Sequence, residues 1–361
     1  MSRSGSTIAV AAVAGATALF AAGCGGSDGG GGGGSSSGAS GNSNITIGFS
    51  QRRISGSDWY KTLVQGVKDE AKRQGVKVDV TDAGGDTVRQ ISDIRTLLSR
   101  GAKGVIVNAN DPKGVAPAIA AATQAKAPVV AVNSNLDKSL VPQSYCYVAE
   151  DQVATGALAG KAIAAKVAAK YGAGDSIKMV TVGGYPGDII SDLRDKGFHQ
   201  GFNAYFQESG KPKPKVVQLP RKYGEWLPDK ALPQMRDVAT ANPDLKVVYS
   251  ESDVMHAGIK QALTQSGLYP KVLVASYDGG MNFIKEMVDD PSGPAQANAS
   301  NQPYDQGVAA VRQVLNAVKG VPKNKSCPGG TSYVKTIAVT PNTAKKYYNP
   351  KESYVQSFGT S

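Results

Sequence analysis

The sequence predicts an α/β protein built from two Rossmann-like, doubly wound lobes that are joined by a multi-strand hinge. Three observations lead to this prediction. Short apolar strands alternate with amphipathic helices from Ile45 onward, the same order starts again after about Asp151, and the last segments exceed what the second lobe needs. Such alternation is typical of parallel sheets with helices on both faces, and the surplus segments indicate that the chain crosses between the lobes more than once.

The first unit of this pattern, residues 45–75, is a strand, a loop and a helix. Residues 45–49 are rich in β-formers, and the helix carries one apolar stripe. This stripe comprises Leu63, Val64, Val67 and Ala71. The loop between them, residues 50–58, is polar and contains the basic pair Arg52 and Arg53. Such loops lie at the carboxyl ends of parallel strands, where ligands bind, so we expect this loop to form one wall of a cleft.

The rest of the first lobe continues the alternation. Its predicted strands are residues 76–80, 104–107, 129–132 and 145–148. Asp86 is a suitable N-cap for one helix, and another helix is predicted from about Gly114. The uninterrupted apolar run at 104–107 is typical of a strand that is buried on both faces of a parallel sheet. With these elements the first lobe is complete by about Asp151.

The second lobe repeats the design and begins with a long Ala-rich helix at residues 153–171. Its predicted strands are 177–182, 216–219, 247–249 and 272–277, and its helices run through Arg194 and Phe198, from Asp229 and from Val254. The surplus segments are 296–299, 301–305, a helix at 306–318 and a last strand at 335–339. We therefore predict a first lobe of residues 45–150 plus about 301–332, and a second lobe of residues 151–300 plus about 333–361.

The first 24 residues indicate export. Arg3 precedes an apolar run at residues 8–22, and small residues stand immediately before Cys24. This order is typical of a signal peptide, and the small residues before the Cys resemble a bacterial lipobox, in which the Cys is lipidated. Residues 25–44 are nearly pure Gly and Ser, which predicts a flexible tether. We expect a protein at the cell surface or in the periplasm, held at the membrane only by lipidated Cys24; an ordinary signal peptide or an uncleaved anchor is the alternative.

The net charge and the cysteine residues narrow the range of possible functions further. The 361 residues carry a formal net charge of +11, but the Lys and Arg residues are scattered along helices without a basic run. This spread indicates a solvated surface and no nucleic-acid partner. Once Cys24 is assigned to lipid, Cys146 and Cys327 remain. An exported chain with two such residues is expected to join them in a disulfide, and two free thiols are the alternative.

Aromatic and polar side chains fall in the loops that follow predicted strands. The aromatic residues are Trp59, Tyr60 and Trp226, and the polar ones are Asn108, Asn133, Arg194, Asp278 and Asn301. Aromatic rings pack on the C–H faces of sugars, while amides, carboxylates and guanidiniums hold paired hydroxyl groups. Each polar residue alone is a common turn or cap residue, but their recurrence at one end of successive strands favours a shared binding site.

Enzymatic function is not indicated. The two His, His199 and His256, lie in predicted helices, and the chain shows no metal-ligand spacing. The Gly-rich segment 183–187 lacks the Lys-Ser/Thr pair of a phosphate loop and is more typical of a turn. We therefore predict no catalytic residues, no metal and no cofactor.

Together these features resemble the type I periplasmic sugar-binding proteins of the ribose-binding kind, which are receptors of bacterial ABC importers. The resemblance covers residues 45 to about 348, and it is carried by segments 45–49, 104–108, 128–133, 193–198, 249–253 and 277–279. It implies a receptor that closes two lobes on a sugar or polyol and presents the ligand to an ABC transporter permease. We expect this receptor to be a monomer.

The resemblance also implies roles for individual residues. Trp59 and Trp226, with Tyr60 beside them, match the aromatics that sandwich the sugar. Asn108 and Arg194 match hydrogen-bonding positions of the two lobes. Asp278 matches a carboxylate that accepts from adjacent hydroxyls, and Asn301 falls at a hinge position where ribose binders use Gln.

Several residues depart from the family pattern. Ser57, Asn133-Ser134 and Ser252 stand where ribose binders carry other polar or charged groups, so ribose itself is not expected. Arg52, Arg53 and Asp192 have no family counterpart, and we treat them, with Ser57 and Ser252, as possible ligand contacts.

Two alternative functions remain open from the sequence. The same fold serves sensors that pass a closed receptor to a membrane signalling protein. Alternatively, Arg52, Arg53 and Arg194 receive an anionic sugar acid. A neutral ligand is preferred because Asp278 and Asp192 would repel an anion.

Overall fold

The computed structural model describes residues 44–357 of the chain. The predicted signal segment, the lipidated Cys24 and residues 25–43 of the predicted tether therefore lie outside the described residues. Within the described range, no helix combines the length and the apolar character that a membrane crossing requires.

Strands and helices alternate along the described chain. The strands are β1 (Thr46–Gln51), β2 (Lys77–Asp82), β3 (Val105–Val107), β4 (Val129–Val132), β5 (Cys146–Ala149), β6 (Ser176–Gly183), β7 (Lys215–Gln218), β8 (Lys222–Tyr223), β9 (Leu245–Ser250), β10 (Leu273–Asp278), β11 (Ala295–Ser300), β12 (Thr331–Tyr333) and β13 (Ile337–Val339). The helices are α1 (Asp58–Arg73), α2 (Thr87–Ser99), α3 (Ala116–Gln124), α4 (Gln152–Lys170), α5 (Ile189–Ser209), α6 (Pro228–Ala241), α7 (Asp253–Gln265), α8 (Met281–Asp289), α9 (Pro303–Val318), α10 (Lys323–Ser326) and α11 (Pro341–Tyr347).

The strands form two sheets, each of which is the centre of one lobe. The first sheet has the order β12-β5-β4-β3-β1-β2 and is parallel throughout. The second has the order β13-β11-β10-β9-β6-β7, with β8 also paired to β6, and only β13 runs antiparallel to its neighbour. Apolar side chains are buried on both faces of each sheet. The predicted fold class, two doubly wound lobes, is confirmed.

Some elements differ from the prediction. Strand β11 was expected to lie beyond the second sheet, but it pairs with β10 inside that sheet. Helix α8 was not predicted, although Met281, Ile284 and Met287 form a buried stripe at helical spacing. Strand β12 was missed because it is a three-residue edge strand of Thr, Ser and Tyr that is at most half-buried.

The two lobes are connected by several segments of the chain. It passes from the first sheet to the second after β5, returns after β11 and crosses again between β12 and β13. The last described residues then touch both lobes: the Val355 N–H donates to the Gly279 carbonyl at 2.9 Å, and the Ser357 N–H donates to Asp305 Oδ2 at 2.9 Å. The Tyr354 ring packs among first-lobe side chains. Residues 354–357 therefore join the hinge, whereas the sequence placed them wholly in the second lobe.

A disulfide closes the first lobe. Cys146 in β5 and Cys327 after α10 are bonded, with their Cα atoms 5.9 Å apart. The two cysteines are 181 residues apart in the sequence, and strands β6 to β11 of the second sheet lie between them. Because the first lobe is made of two distant stretches of chain, this bond ties the returning stretch to the sheet that the first stretch forms.

Helices α4 and α5 approach each other backbone to backbone on one face of the second sheet, and glycines make this approach possible. A Cβ built on Gly160 would lie 2.0 Å from the Phe198 carbonyl oxygen, and one on Gly201 would lie 2.0 Å from the Ala157 carbonyl oxygen. Real Cβ atoms do not come that close to backbone oxygens, so a side chain at either position forces the helices apart. The buried ring of Phe198 depends on this spacing, because it stacks on Tyr249 at 3.9 Å between centroids.

The glycine packing yields a first prediction. Gly160→Ala should lower the free energy of unfolding by about 1 to 3 kcal/mol, because overpacking against a backbone oxygen outweighs the roughly 0.5–1 kcal/mol that Ala gains over Gly in a helix. Gly174→Ala is the matched control, since nothing lies within 4 Å of a Cβ there. Urea unfolding of both variants measures the difference, and equal stability of the two would contradict the close packing.

Candidate functional site

A cleft lies between the two lobes, where the carboxyl ends of strands from both sheets face each other. Its cavity volume is about 230 Å³, below the ~300–1,000 Å³ typical of pockets for drug-sized ligands, so it suits a small molecule. The first lobe contributes residues that follow β1, which are Arg52, Arg53, Ser55, Gly56, Ser57, Trp59 and Tyr60, together with Gly85, Asn110 and Asn133. The second contributes Tyr185, Ile190, Arg194, Glu225, Trp226, Leu227, Ser252, Val254 and Asp278, with Arg194 and Ile190 on α5, Val254 on α7 and the rest at or after strand ends.

Most residues singled out from the sequence line this one cavity. They are Trp59, Tyr60, Asn133, Arg194, Trp226 and Asp278, together with the possible contacts Arg52, Arg53, Ser57 and Ser252. The two Trp residues come from opposite lobes and face the same space. The structure thus brings together side chains as far apart in the sequence as Arg52 and Asp278, because parallel strands all deliver their following loops to one edge.

Three expected site residues do not line the cavity. Asn108 is fully buried one layer below it and donates from Nδ2 to Gln51 Oε1 at 2.7 Å. Asn301 is also fully buried, in the hinge. Asp192 does not line the cavity and forms an ion pair with Arg221. Asn108 and Asn301 follow strand ends as predicted, but both strands end deep in the lobes, so these amides contact other side chains and not the cavity.

The two Trp rings are held in fixed positions. Trp59 is 6% exposed and donates from Nε1 to Asn301 Oδ1 at 2.9 Å. Trp226 donates from Nε1 to Asp188 Oδ2 at 3.1 Å. Its ring lies against Gly184, where a Cβ would come within 2.1 Å of it. Two rigid aromatic faces on opposite walls are suited to bind a flat, partly apolar ring.

The floor of the cleft is a buried ion pair. Arg194 donates from Nη1 to Asp278 Oδ1 at 3.1 Å and from Nε to Gln152 Oε1 at 2.8 Å, and its Nη2 lies 3.5 Å from Glu150 Oε1. The guanidinium also stacks on the Tyr277 ring at 3.9 Å. Burial alone lowers the pKa of Arg194, but the nearby carboxylates outweigh burial and hold its pKa above the usual value. Arg194 therefore stays charged.

Carboxyl groups cluster behind this ion pair. Asp278 accepts from Ser252 Oγ at 2.5 Å and from the Asp253 N–H at 3.2 Å. Burial raises the pKa of Asp278, while Arg194 lowers it. Burial and the charge of Asp278 raise the pKa of Asp253 to about 8, and burial raises the pKa of Glu251 to about 8. Glu251 and Asp253 belong to the segment 249–253 that carries the family resemblance, but the sequence assigned neither to the site, since only the structure shows how deeply they are buried.

Tyr185, Glu225 and Asn110 line the cavity but were not predicted to do so. Tyr185 lies in the Gly-rich segment that the sequence assigned to a turn, and Glu225 directly precedes Trp226. Their position in the sequence could have identified them, because they follow strands β6, β8 and β3. The other site residues were predicted from the same kind of position.

Unfavourable backbone conformations concentrate at this site. Six described non-glycine residues have positive φ: Lys126, Asn133, Glu225, Trp226, Asp278 and Gln302. Four of them line the cleft, and Gln302 lies in the hinge. Such conformations cost of order 1–3 kcal/mol each and tend to cluster where function requires a particular side-chain direction.

No metal centre is evident within residues 44–357, which contain no group of three or more His, Cys, Asp and Glu side chains that could hold an ion. His256 is buried beside Glu286 and lies edge-on to Phe283, with ring centroids 4.6 Å apart. His199 contacts Asp195 on its own helix. Neither lines the cleft.

Comparison with known proteins extends these observations. Residues 47–322 match the model of the periplasmic binding protein domain. The ribose import binding protein of Bacillus subtilis (strain 168) is 27% identical over 292 residues, which are 80% of this chain and 88% of that protein.

Solved structures of binding proteins are also similar to this chain. A solute-binding protein of an ABC transporter from Mycobacterium smegmatis, with bound glycerol, is 29% identical with a TM-score of 0.72, covering 86% of this chain and 99% of the other. The binding protein of the arabinose ABC transporter from Shewanella sp. ANA-3, bound to α and β-L-arabinofuranose, is 27% identical with a TM-score of 0.72, covering 84% and 94%.

The buried carboxyls yield a prediction on pH. Glu251 and Asp253 have folded-state pKa values of about 8, well above the ordinary values near 4 of an unfolded chain. The folded protein therefore binds more protons than the unfolded chain between about pH 4 and 8. The stability that these two carboxyl groups contribute is fully present below about pH 4 and is lost as pH rises through about 8. In this range the free energy of unfolding falls by about 1.4 kcal/mol per pH unit for each proton.

Thermal unfolding of the ligand-free protein between pH 5 and 9 measures this dependence. Melting temperature should fall as pH rises to about 8, and the fall should then level off. Glu251→Gln keeps the shape of the side chain but does not titrate, so the slope should become shallower. A slope that is flat in the parent, or identical in the variant, would show that Glu251 is ionised in the folded state.

Proposed function

The chain belongs to the periplasmic binding protein domain family, and from that premise we propose that it captures a sugar or sugar alcohol, or a derivative of one, between its lobes and delivers it to the permease of an ABC importer. Its relatives are binding proteins, and the chain is a binding protein and not an enzyme. The observation that carries the proposal is that Trp59 and Trp226, from opposite lobes, face one small cavity that polar side chains of both lobes also line.

The chemistry of the cavity supports a polyhydroxylated ligand. The Trp faces offer apolar contact to C–H groups, and Asn133, Arg194 and Asp278 offer donors and acceptors between them. The similar proteins named above are described as binding ribose, arabinofuranose and glycerol. Asn133 and Ser252, two of the positions that depart from the ribose-binding pattern, line the cavity, which favours a ligand other than ribose.

Closure of the lobes would couple binding to delivery. A ligand that contacts Trp59 and Asn133 on the first lobe and Arg194 and Asp278 on the second stabilises the conformation in which both sets are close. The hinge that permits this motion consists of the crossing segments, with Asn301 between the lobes. A permease that recognises the closed pair of lobes then receives only loaded receptors.

The location follows from the N-terminal sequence. Relatives of this family are periplasmic, and we propose an extracytoplasmic protein that is lipidated on Cys24 and tethered by residues 25–44. A tether keeps the receptor at a high effective concentration near a membrane permease.

A ligand panel with one cleft variant tests the binding function. At least one sugar, polyol or sugar derivative should raise the melting temperature at millimolar concentration. Asn133→Gly should weaken binding of that ligand about threefold to tenfold by removing one amide hydrogen bond. The fold should tolerate this change, because the Asn133 φ of 59° suits glycine and its backbone N–H bond to Val148 remains.

Lys126→Gly is the matched control. Lys126 also has positive φ, at 54°, but it precedes β4 and lies outside the cleft, whereas Asn133 follows β4. The Lys126→Gly variant should bind the ligand with the same affinity as the parent protein. If no member of the panel binds, or if the two glycine variants bind alike, the cleft is not the carbohydrate site.

Lipid anchoring and delivery can be tested together. Cys24→Ser should move the protein from the membrane fraction to the soluble fraction and reduce cellular uptake of the ligand at subsaturating concentration, while the affinity of the purified protein stays unchanged. Retention of the variant at the membrane would show that lipid on Cys24 is not the anchor. Normal uptake in cells that lack the protein would favour a signalling receptor over an import receptor.

A further inference from the structure

Two arginines of the cleft wall have no partner of opposite charge among the residues that the structure describes. Arg52 and Arg53 line the cavity from the loop between β1 and α1. Neither guanidinium has a hydrogen bond or ion pair with any other residue in the range 44–357. Asp82, at the end of β2 beside this loop, instead accepts from the backbone N–H groups of Ile54 and Gly84. Two charges thus face the ligand space without compensation from the protein.

Their placement is defined by neighbouring groups. The Arg53 guanidinium lies over Gly85, where a Cβ would come within 2.6 Å of its Nη2. Gly85 has φ of 88°, and the Gly85 carbonyl accepts from Asn110 Nδ2 at 2.6 Å. Across the cleft, burial raises the pKa of Tyr185, while the charges of Arg53 and Arg52 oppose that rise, so both guanidiniums lie near its phenol.

The structure removes the reasons that favoured a neutral ligand. Asp192 lies outside the cavity and is paired with Arg221. Asp278 lines the cavity, but its charge is compensated by Arg194 at 3.1 Å, and its oxygens also accept from Ser252 and Asn301. The floor of the cleft is therefore close to neutral. Neither carboxylate opposes an anion at the site of Arg52 and Arg53.

One further carboxylate affects the net charge of the cleft. Glu225 lines the cavity from the second lobe, is exposed and has no ion pair within the described residues. If closure brings Glu225 to one arginine, one positive charge is still uncompensated. The cleft thus has an excess of one positive charge at the end formed by Arg52 and Arg53.

We propose that the ligand is an acidic sugar derivative whose single anionic group binds to Arg52 and Arg53 while its hydroxylated body lies between Trp59 and Trp226. Guanidinium groups bind carboxylates through paired, charge-assisted hydrogen bonds. A sugar carboxylate, with one negative charge, matches the excess charge of the cleft, and a sugar phosphate shares the anionic chemistry with a higher charge. The inference rests on the proposed function and narrows its ligand class.

Matched sets of probes test the inference on the purified protein. Each set contains an aldose, its alditol, its aldonate, its uronate and its terminal phosphate, in pentose and hexose series. Binding is followed by Trp fluorescence, which is specific here because the chain has two Trp and both line the cleft. In at least one set a carboxylate should bind about tenfold or more tightly than the neutral members, and its affinity should fall as salt rises.

Variants assign the effect to the arginine pair. The double variant Arg52→Gln and Arg53→Gln should lose the preference for the acid but keep binding of the neutral members. Arg100→Gln is the control, because Arg100 is exposed at the far end of α2, about 20 Å from the cleft end of this 13-residue helix. Glu225→Gln should strengthen binding of the acid.

The outcomes are distinct. Neutral members that bind at least as tightly as acids, with no effect of the double variant, would overturn the anionic ligand and leave the carbohydrate receptor standing. Tightest binding of the phosphates would keep the arginine site but reject the carboxylate. Absence of binding by every member would reject both this inference and the proposed function.

Discussion

The buried ion pair of Arg194 and Asp278 is the constraint on which the cleft depends. Taking both charges out of water is costly, and removing one partner of such a pair typically costs ~3–5 kcal/mol because the other is left uncompensated. The protein offsets this cost by giving each charged group several polar partners. Arg194 also contacts Gln152 and Glu150, and Asp278 also accepts a hydrogen bond from Ser252. The result is a polar floor whose geometry is set before a ligand arrives.

The same network links the floor to the hinge and to the opposite lobe. Asn301 donates to Asp278 Oδ1 at 3.0 Å and accepts from Trp59 Nε1 at 2.9 Å, so one hinge amide touches a group of each lobe. Gln306 donates both to Glu150 and to the Asn301 carbonyl, at 2.8 Å each. A ligand that fixes Trp59 against the floor therefore also fixes the segment through which the lobes move. Asn301 was expected to bind ligand directly; its hydrogen bonds to Trp59 and Asp278 also suit it to couple binding to closure in the proposed receptor.

The sequence predicted the fold and most of the cleft because both depend on local order along the chain. Alternating strands and helices set the two sheets, and position after a strand placed Trp59, Asn133 and Trp226 at one edge. The depth at which a side chain is buried was not predictable in the same way. It depends on how far the preceding strand extends and on which elements cover the side chain. Asn108 and Glu251 both follow strand ends, yet tertiary packing buries both completely.

In the proposed receptor, the two lobes contribute differently to ligand recognition. The second lobe presents charges that are largely satisfied within the protein, which suits hydroxyl groups shared by many carbohydrates. The first lobe presents, in the loop between β1 and α1, two charges that have no ion pair within residues 44–357, and Glu225 of the second lobe can compensate one of them at most. That loop is tied to the scaffold by few contacts, chiefly Asp82 and Gly85, so its side chains can differ without disturbing the sheet. In the proposed receptor, the second lobe supplies contacts that many polyols share, and the choice among ligands depends on the first-lobe loop that holds Arg52 and Arg53.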